Sequence, residues 1–157
     1  MSGIQSVLID TNILVYAANT ASSLHERAKH LREKAKSGEL MAYVSLQNLY
    51  EFYAIITDFR RVENPLSPEV AQEEVIKYLE AEFIGKIQMT EATLRRALKL
   101  SAKYKIMGQN FYDLLLVSTM IEQNVKTIYT VNVQDFQFIK EITTINPFKL
   151  SELSSTT

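Results

Sequence analysis

The sequence predicts an α/β protein in three layers, with a mainly parallel central sheet covered by helices on both faces. Val7, Leu8 and Ile9 run without polar interruption, as a strand buried on both faces does. Further short strand-like runs, Met41 to Val44, Lys86 to Met89, Thr127 to Val131 and Thr143 to Ile145, alternate with segments of helical period, the pattern of a βα repeat. At 157 residues the chain can bury one core without staples, and it has no cysteine with which to make any.

The first run ends on Asp10, followed by polar Thr11 and Asn12, after which Ile13, Leu14 and Tyr16 resume at helical spacing. In open α/β sheets ligands bind beyond the carboxyl ends of the strands, so Asp10 stands where chemistry is usually sited. A polar connector from Ala18 to Ser23 leads to a helix over Leu24 to Ser37, with Leu24, Ala28, Leu31 and Ala35 inward and Gly38 as a left-handed cap. His25 and His30 lie five apart on it, off the spacing that shares a helix face, and read as solvated histidines rather than metal ligands.

Ser45 is placed to cap a helix from Leu46 to Phe59 whose apolar face reads as Leu46, Leu49, Tyr50, Tyr53 and Ile56. Glu51 falls at the edge of that face; it either meets something positive or reaches out to water. Ser67, Pro68 and Glu69 restart a helix after a loop, with Val70, Val75, Tyr78, Leu79 and Phe83 as its packed face. Thr90 caps another, with Leu94, Ala97, Leu98 and Ala102 inward, and Gly108 breaks the chain.

The helix from Phe111 to Gln123 is apolar around most of its circumference, yet carries Asp113 in its first turn. One reading is that Asp113 only complements the helix N-terminus; the other is that it faces a site. The run Thr127 to Val131 ends in Asn132, Gln134 and Asp135, Phe138 and Ile139 pack a helical turn, and Thr143 to Ile145 is the last strand. Residues 1–150 read as one domain and 151–157 as a frayed polar tail.

Asp10, Glu51, Asp113 and Asp135 thus hold comparable positions around one crevice. Clustered carboxylates repel one another, and an oxygen-only set without cysteine or a well-placed histidine suits a hard cation such as Mg²⁺ or Mn²⁺. The formal net charge of −1 makes the whole chain no general attractor of nucleic acid, so contact with phosphates falls to a bound metal or a local basic patch. The opening residues lack a basic signal region and no apolar run is long enough to cross a bilayer, which suits a cytoplasmic protein without a membrane anchor.

Asp10-Thr11-Asn12 after an aliphatic strand, Ser45 with Glu51, Tyr112-Asp113-Leu114-Leu115, and Thr130-Val131-Asn132-Val133-Gln134-Asp135-Phe136 together resemble the PIN-domain nucleases, and among them the VapC toxins of VapBC toxin-antitoxin pairs. The resemblance spans about residue 7 to Phe148. It implies a Mg²⁺- or Mn²⁺-dependent endoribonuclease in which Asp10, Glu51, Asp113 and Asp135 form an acidic quartet, Asp10 and Asp113 touch metal directly, and Thr11, Asn12 and Thr130 hold the site by hydrogen bonds. Many family members have an acid where this chain has Asn132; others share its Thr-x-Asn-x-x-Asp-Phe form, so the fourth acid is assigned to Asp135, and Asn132 is left to offer a carbonyl oxygen to a metal-bound water.

The resemblance further implies an RNA substrate, a homodimer and a VapB-like antitoxin, with Tyr50, Tyr53 and Phe83 as candidate packing surface. Arg60 and Arg61 are candidate contacts to the RNA backbone, against the reading that they are a solvated face. A phosphoacceptor receiver domain would need a lysine where Thr130 stands, and a haloacid-dehalogenase-type phosphatase would need Asp-x-Asp in place of Asp10-Thr11-Asn12. The stronger rival is a catalytically idle PIN-like domain that only binds RNA or protein.

Overall fold

The computed structural model describes residues 3–149; the tail expected at 151–157 lies outside them. Strand β1 (Ser6–Ile9) is followed by α1 (Thr11–Ala18) and α2 (His25–Ser37), β2 (Met41–Ser45) by α3 (Leu46–Ile56) and α4 (Pro68–Glu80), and β3 (Ile84–Ile87) by α5 (Glu91–Tyr104) and α6 (Phe111–Glu122). Strands β4 (Thr127–Tyr129) and β5 (Thr143–Ile145) complete a five-stranded sheet of order β3-β2-β1-β4-β5, with every neighbouring pair parallel.

Alternation along β1 divides the core in two. Val7 and Ile9 join Ala42, Val44, Ile84 and Tyr129 under α1 to α4, while Leu8 joins Ile87 and Ile128 under α5 and α6. With β1 buried on both faces and strands added first on one side and then on the other, the order reverses between β1 and β4. That is the switch point at which a crevice opens beyond the strand ends. Gly85 lies opposite Tyr43 in the β2–β3 register, and a Cβ there would come within 2.4 Å of the Tyr43 ring, so the glycine leaves room for it.

Several helix boundaries follow from local chemistry. Ser45 and Asn48 form a reciprocal capping box at the start of α3, as Thr90 and Thr93 do for α5; Ser67 with Pro68 opens α4, and Gly38 closes α2 at φ 86°. Every residue of α6 from Leu114 to Met120 is buried, as its composition predicts.

The helix faces differ from expectation. Leu49, Phe52 and Ile56 bury α3, while Tyr50 and Tyr53 are exposed; α4 buries Ala71 and Tyr78 and leaves Val70 and Leu79 outside; α5 turns Thr93, Ala97 and Leu100 inward and Leu94 and Leu98 to the surface. Each helix carries apolar residues on more than one face, and small side chains win where helices approach closely. The third strand begins at Ile84 rather than Lys86, α3 stops at Ile56, β4 ends at Tyr129, and the last helical turn falls at Val133–Asp135, ahead of Phe138. His25 is not solvated: it starts α2 from a partly buried position, its Nδ1 donating to the Tyr16 carbonyl at 3.0 Å.

Phe52 is wholly buried and meets the Tyr78 ring edge-on at 5.8 Å, tying α3 to α4. Phe52→Ala is expected to cost about 3–5 kcal/mol, read from denaturant unfolding. A loss below about 1 kcal/mol would mean that α3 and α4 do not share a packed core there.

Candidate active site

The site is built outward from Asp10. Its carboxyl group sits at the end of β1, where the backbone N–H of Asp10 donates to the Tyr129 carbonyl, and it caps α1 by accepting from the Thr11 N–H at 2.8 Å. On the other oxygen it accepts from the Thr130 hydroxyl at 2.8 Å. Asn12 donates to Thr130 Oγ1 at 3.1 Å, as does the Asn132 N–H at 3.0 Å. The polar residues that end β1 and follow β4 are thus one hydrogen-bonded unit across the switch point.

A second chain of bonds brings in α3. Asn48, wholly buried, accepts from the Ser45 N–H and hydroxyl through Oδ1 and donates through Nδ2 to Thr11 Oγ1 at 3.0 Å. The Thr11 hydroxyl donates in turn to Glu51 Oε2 at 3.0 Å. Gln47 donates to Glu51 Oε1 at 3.3 Å and to the Tyr112 carbonyl at 3.2 Å, linking α3 to the first turn of α6 where Asp113 stands. Asn48 and Gln47 were not singled out by the sequence as site residues. The Ser-x-x-Asn box at the head of α3 was the available signal for Asn48; nothing comparable marks Gln47.

Asp10, Glu51, Asp113 and Asp135 meet at this one rim of the sheet. Burial pushes the Asp10 carboxyl up to about 6; the bonds from Thr130 and the Thr11 N–H oppose the rise, and the charges of Glu51 and Asp135 add to it. Burial likewise pushes Asp113 up to about 7, with repulsion from Asp135, Asp10 and Glu51 in that order. Asp113 and Asp135 line opposite parts of a cavity of about 140 Å³. Among the described residues none of the four acids is in an ion pair. Glu51 is bonded to Thr11 and Gln47, not to a cation, and lies exposed.

The donor set is therefore all oxygen, negatively charged beyond what its neighbours balance, and partly dehydrated. This is the environment that favours a hard divalent cation, and Asp10 and Asp113 are the two carboxyl groups whose ionisation burial resists. As they stand, no three Asp, Glu or His side chains among the described residues are grouped closely enough to clasp an ion. Asn132 contributes its backbone N–H, and its side chain is exposed. Arg60 is outside this unit: it follows α3 in a loop and pairs with Asp58 at 3.0 Å, and Arg61 beside it is exposed.

An open parallel sheet with a four-acid crevice at its switch point is a form shared by metal-assisted nucleases. The PIN domain profile matches residues 7–139, and the chain belongs to that family. Among curated proteins it is similar to Ribonuclease VapC48 of Mycobacterium tuberculosis, 24% identical over 143 residues that cover 91% of this chain and 98% of the relative. Among solved structures it resembles VapBC2 from Rickettsia felis bound to a promoter DNA fragment, with a TM-score of 0.63, 22% identity and coverage of 90% of this chain and 98% of the other. It also resembles the sarcin-ricin-loop-cleaving toxin VapC20 of Mycobacterium tuberculosis, with a TM-score of 0.63, 13% identity and coverage of 85% and 95%.

Raised acid values make a stability prediction. Asp113 ionises at about 3.8 when unfolded and about 7 when folded, so the folded state binds the proton more tightly. The stabilisation is complete below pH 3.8 and lost as pH rises through 7. Metal-free Asp113→Asn lacks that loss. Its Tm should equal or exceed that of the parent at pH 8, the gap closing as pH falls toward 4. A Tm well below the parent's at pH 8 would show Asp113 to be a structural acid.

Proposed function

We propose that this chain is a metal-dependent endoribonuclease that hydrolyses RNA phosphodiester bonds, and that it acts as the toxin of a toxin-antitoxin pair in the cytoplasm. The carrying observation is the convergence of Asp10, Glu51, Asp113 and Asp135 at the switch point of a PIN-family sheet. The likeness over nearly the whole chain to a protein named as a ribonuclease supports RNA as the substrate class.

In this reading Asp10 and Asp113 hold Mg²⁺, or Mn²⁺ in its place, with Glu51 and Asp135 completing the acidic wall. An ion held by Asp10 and Asp113 would supply Lewis-acid polarisation of the scissile phosphate and a more acidic water as nucleophile, the chemistry of phosphodiester hydrolysis that leaves a 5′-phosphate. Thr130 and the Thr11 N–H hold both Asp10 oxygens in one orientation, and Thr11 fixes the direction of Glu51. Asn12 and Asn132 hold Thr130 in turn. Because Asp10, Glu51, Asp113 and Asp135 give the crevice negative charge that no ion pair balances among the described residues, its acids would repel an RNA backbone unless a cation were held there.

A catalytically idle domain that binds RNA or protein is the second reading, favoured by the absence of any three acids already closed on one point among the described residues. The acids argue against it, since without an ion their repulsion and burial are cost without return.

The partners follow from the same relatives. Solved neighbours include a VapBC complex from Rickettsia felis and a toxin-antitoxin complex from Klebsiella pneumoniae. An apolar groove of about 500 Å³ between α3 and α4, lined by Leu46, Tyr50, Tyr53, Val75 and Leu79, offers room for a VapB-like antitoxin segment. Tyr50 is 70% exposed and is continuous in this groove with the exposed Tyr53 and Leu79, as an interaction patch is. Phe83, expected in the same surface, packs instead against the core. Leu94 and Leu98 on α5 form a second apolar patch, which suits a homodimer.

Purified protein is expected to cleave structured RNA in Mg²⁺ or Mn²⁺ and not in EDTA, with Asp10→Asn inactive; equal cleavage by that variant would remove the mechanism. Thr130→Val should weaken activity about 10- to 100-fold, mainly as a higher metal requirement, which a Mg²⁺ titration of the initial rate reads out. Tyr50→Glu should leave RNA cleavage intact and abolish capture by a co-expressed antitoxin from the neighbouring reading frame.

A further inference from the structure

The cavity beside Asp113 and Asp135 has a lining that metal binding does not use. Phe138 forms one wall and is 39% exposed, while Asn110, Gln134 and Ile106 line the same space. Its volume of about 140 Å³ is small beside the roughly 300–1,000 Å³ of pockets that enclose larger ligands, and suits a single flat ring system.

Phe138 is held in place rather than left as a loose surface ring. Tyr104 meets it edge-on at 5.5 Å. The Tyr104 hydroxyl donates to Glu141 and accepts from the Lys140 N–H at 3.1 Å, and Lys103 pairs with Glu141 at 2.9 Å. The end of α5 thereby fixes the turn that carries the ring. An exposed aromatic with a fixed orientation is a stacking platform, and every nucleobase has a face to offer it.

The polar lining selects among bases. Amide side chains pair with base edges that present a donor beside an acceptor, and carboxylates accept from exocyclic amines. Asp113 and Asp135 also disfavour a phosphate in the cavity itself, which leaves the uncharged part of a nucleotide as its occupant. Uracil alone has no exocyclic amine: its edge offers a carboxylate a single N3–H flanked by two carbonyl oxygens that the carboxylate repels.

We propose that this cavity binds the base of a nucleotide adjoining the scissile bond, stacked on Phe138 and read by Gln134 and Asn110, with adenine, cytosine or guanine preferred over uracil. That the base belongs to a substrate rests on the nuclease reading above; that the cavity takes a base does not. Phe138 and Gln134 are then specificity-determining residues on one side of the acidic wall.

The test has two arms. In the first, the four nucleoside 5′-monophosphates are titrated into the full chain in Ca²⁺ and binding is followed by amide chemical shifts. The parent should bind UMP several-fold more weakly than the others. Phe138→Ala should lose about tenfold in affinity, Phe138→Trp should retain it, and Gln134→Ala should bring the four affinities together. In the second arm, RNA of randomised sequence is cleaved in Mg²⁺ or Mn²⁺ and the bases flanking each cut are read. Cleavage with a base preference unchanged in Phe138→Ala and Gln134→Ala would overturn the pocket and leave the nuclease standing. Base-selective binding that is lost in Phe138→Ala, in a protein that cuts no RNA with either metal, would uphold the pocket and overturn the nuclease. Binding that is equal for all four nucleotides and unmoved by either variant overturns the pocket whatever the second arm shows.

Discussion

The burial of one carboxylate at the end of the central strand governs the rest of the site. Asp10 is 9% exposed and is pushed up to about 6, an ionisation that its own surroundings resist. Hydrogen bonds from Thr130 and from the Thr11 N–H offset part of that resistance; the second is local to the start of α1, and the first exists only because β1 and β4 are neighbours in the sheet. The parallel topology therefore does more than cover a core. It delivers to one point a strand-end acid and the hydroxyl that steadies it, from positions 120 residues apart.

The second acid layer is tied to the first through buried polar side chains. The path from Ser45 through Asn48 and Thr11 to Glu51 uses each group as donor or acceptor once its neighbour is fixed. A buried polar network of this kind is costly when incomplete and rigid when complete. Asn48 serves at once as helix cap and as link between α3 and Asp10's strand, so the start of α3 cannot shift without disturbing Glu51. Gln47 extends the connection to the Tyr112 carbonyl, beside Asp113. Three helices are held in register around the crevice by side chains that carry no charge.

What the sequence revealed depended on how local the determinant was. Caps at Ser45, Ser67 and Thr90 and the left-handed Gly38 are settled within a few residues, and their positions were legible. So was α6, whose burial leaves no choice of face. The burial of α3, α4 and α5 was not, because each carries two apolar stripes and only the packing of helix on helix decides which is core. Asp10, Asp113 and Asp135 could be placed at the crevice because strand ends and a helix start mark it, whereas Glu51, in the second turn of α3, could be placed only by which face of the helix turns toward Thr11. Their hydrogen-bond partners across the sheet could be named only in part, since the reach of Asn48 to Thr11 or Gln47 to Tyr112 is a property of the assembled layers. His25 was misjudged for the same reason: its acceptor, the Tyr16 carbonyl, is supplied by the turn of the chain between α1 and α2.

The misread stripes and the strained acids are two forms of one compromise. Tyr50, Leu79, Leu94 and Leu98 remain at the surface although each lies on a helix that buries other apolar residues. Asp10 and Asp113 remain carboxylic acids in the sequence although burial and the charges of neighbouring acids raise both. In a chain selected only for the stability of its isolated fold, polar residues on the first set and amides in the second would be improvements. On the function proposed above, both are accounted for from outside the isolated chain: a cation at the crevice would relieve the acids, and an apolar partner at the α3–α4 groove would cover the aromatic surface. The two are linked through the fold, because α3 presents Tyr50 to the groove on one side and Glu51, the next residue, to the crevice on the other. Any displacement of α3 would therefore also move Glu51, which is bonded to the Thr11 hydroxyl next to Asp10.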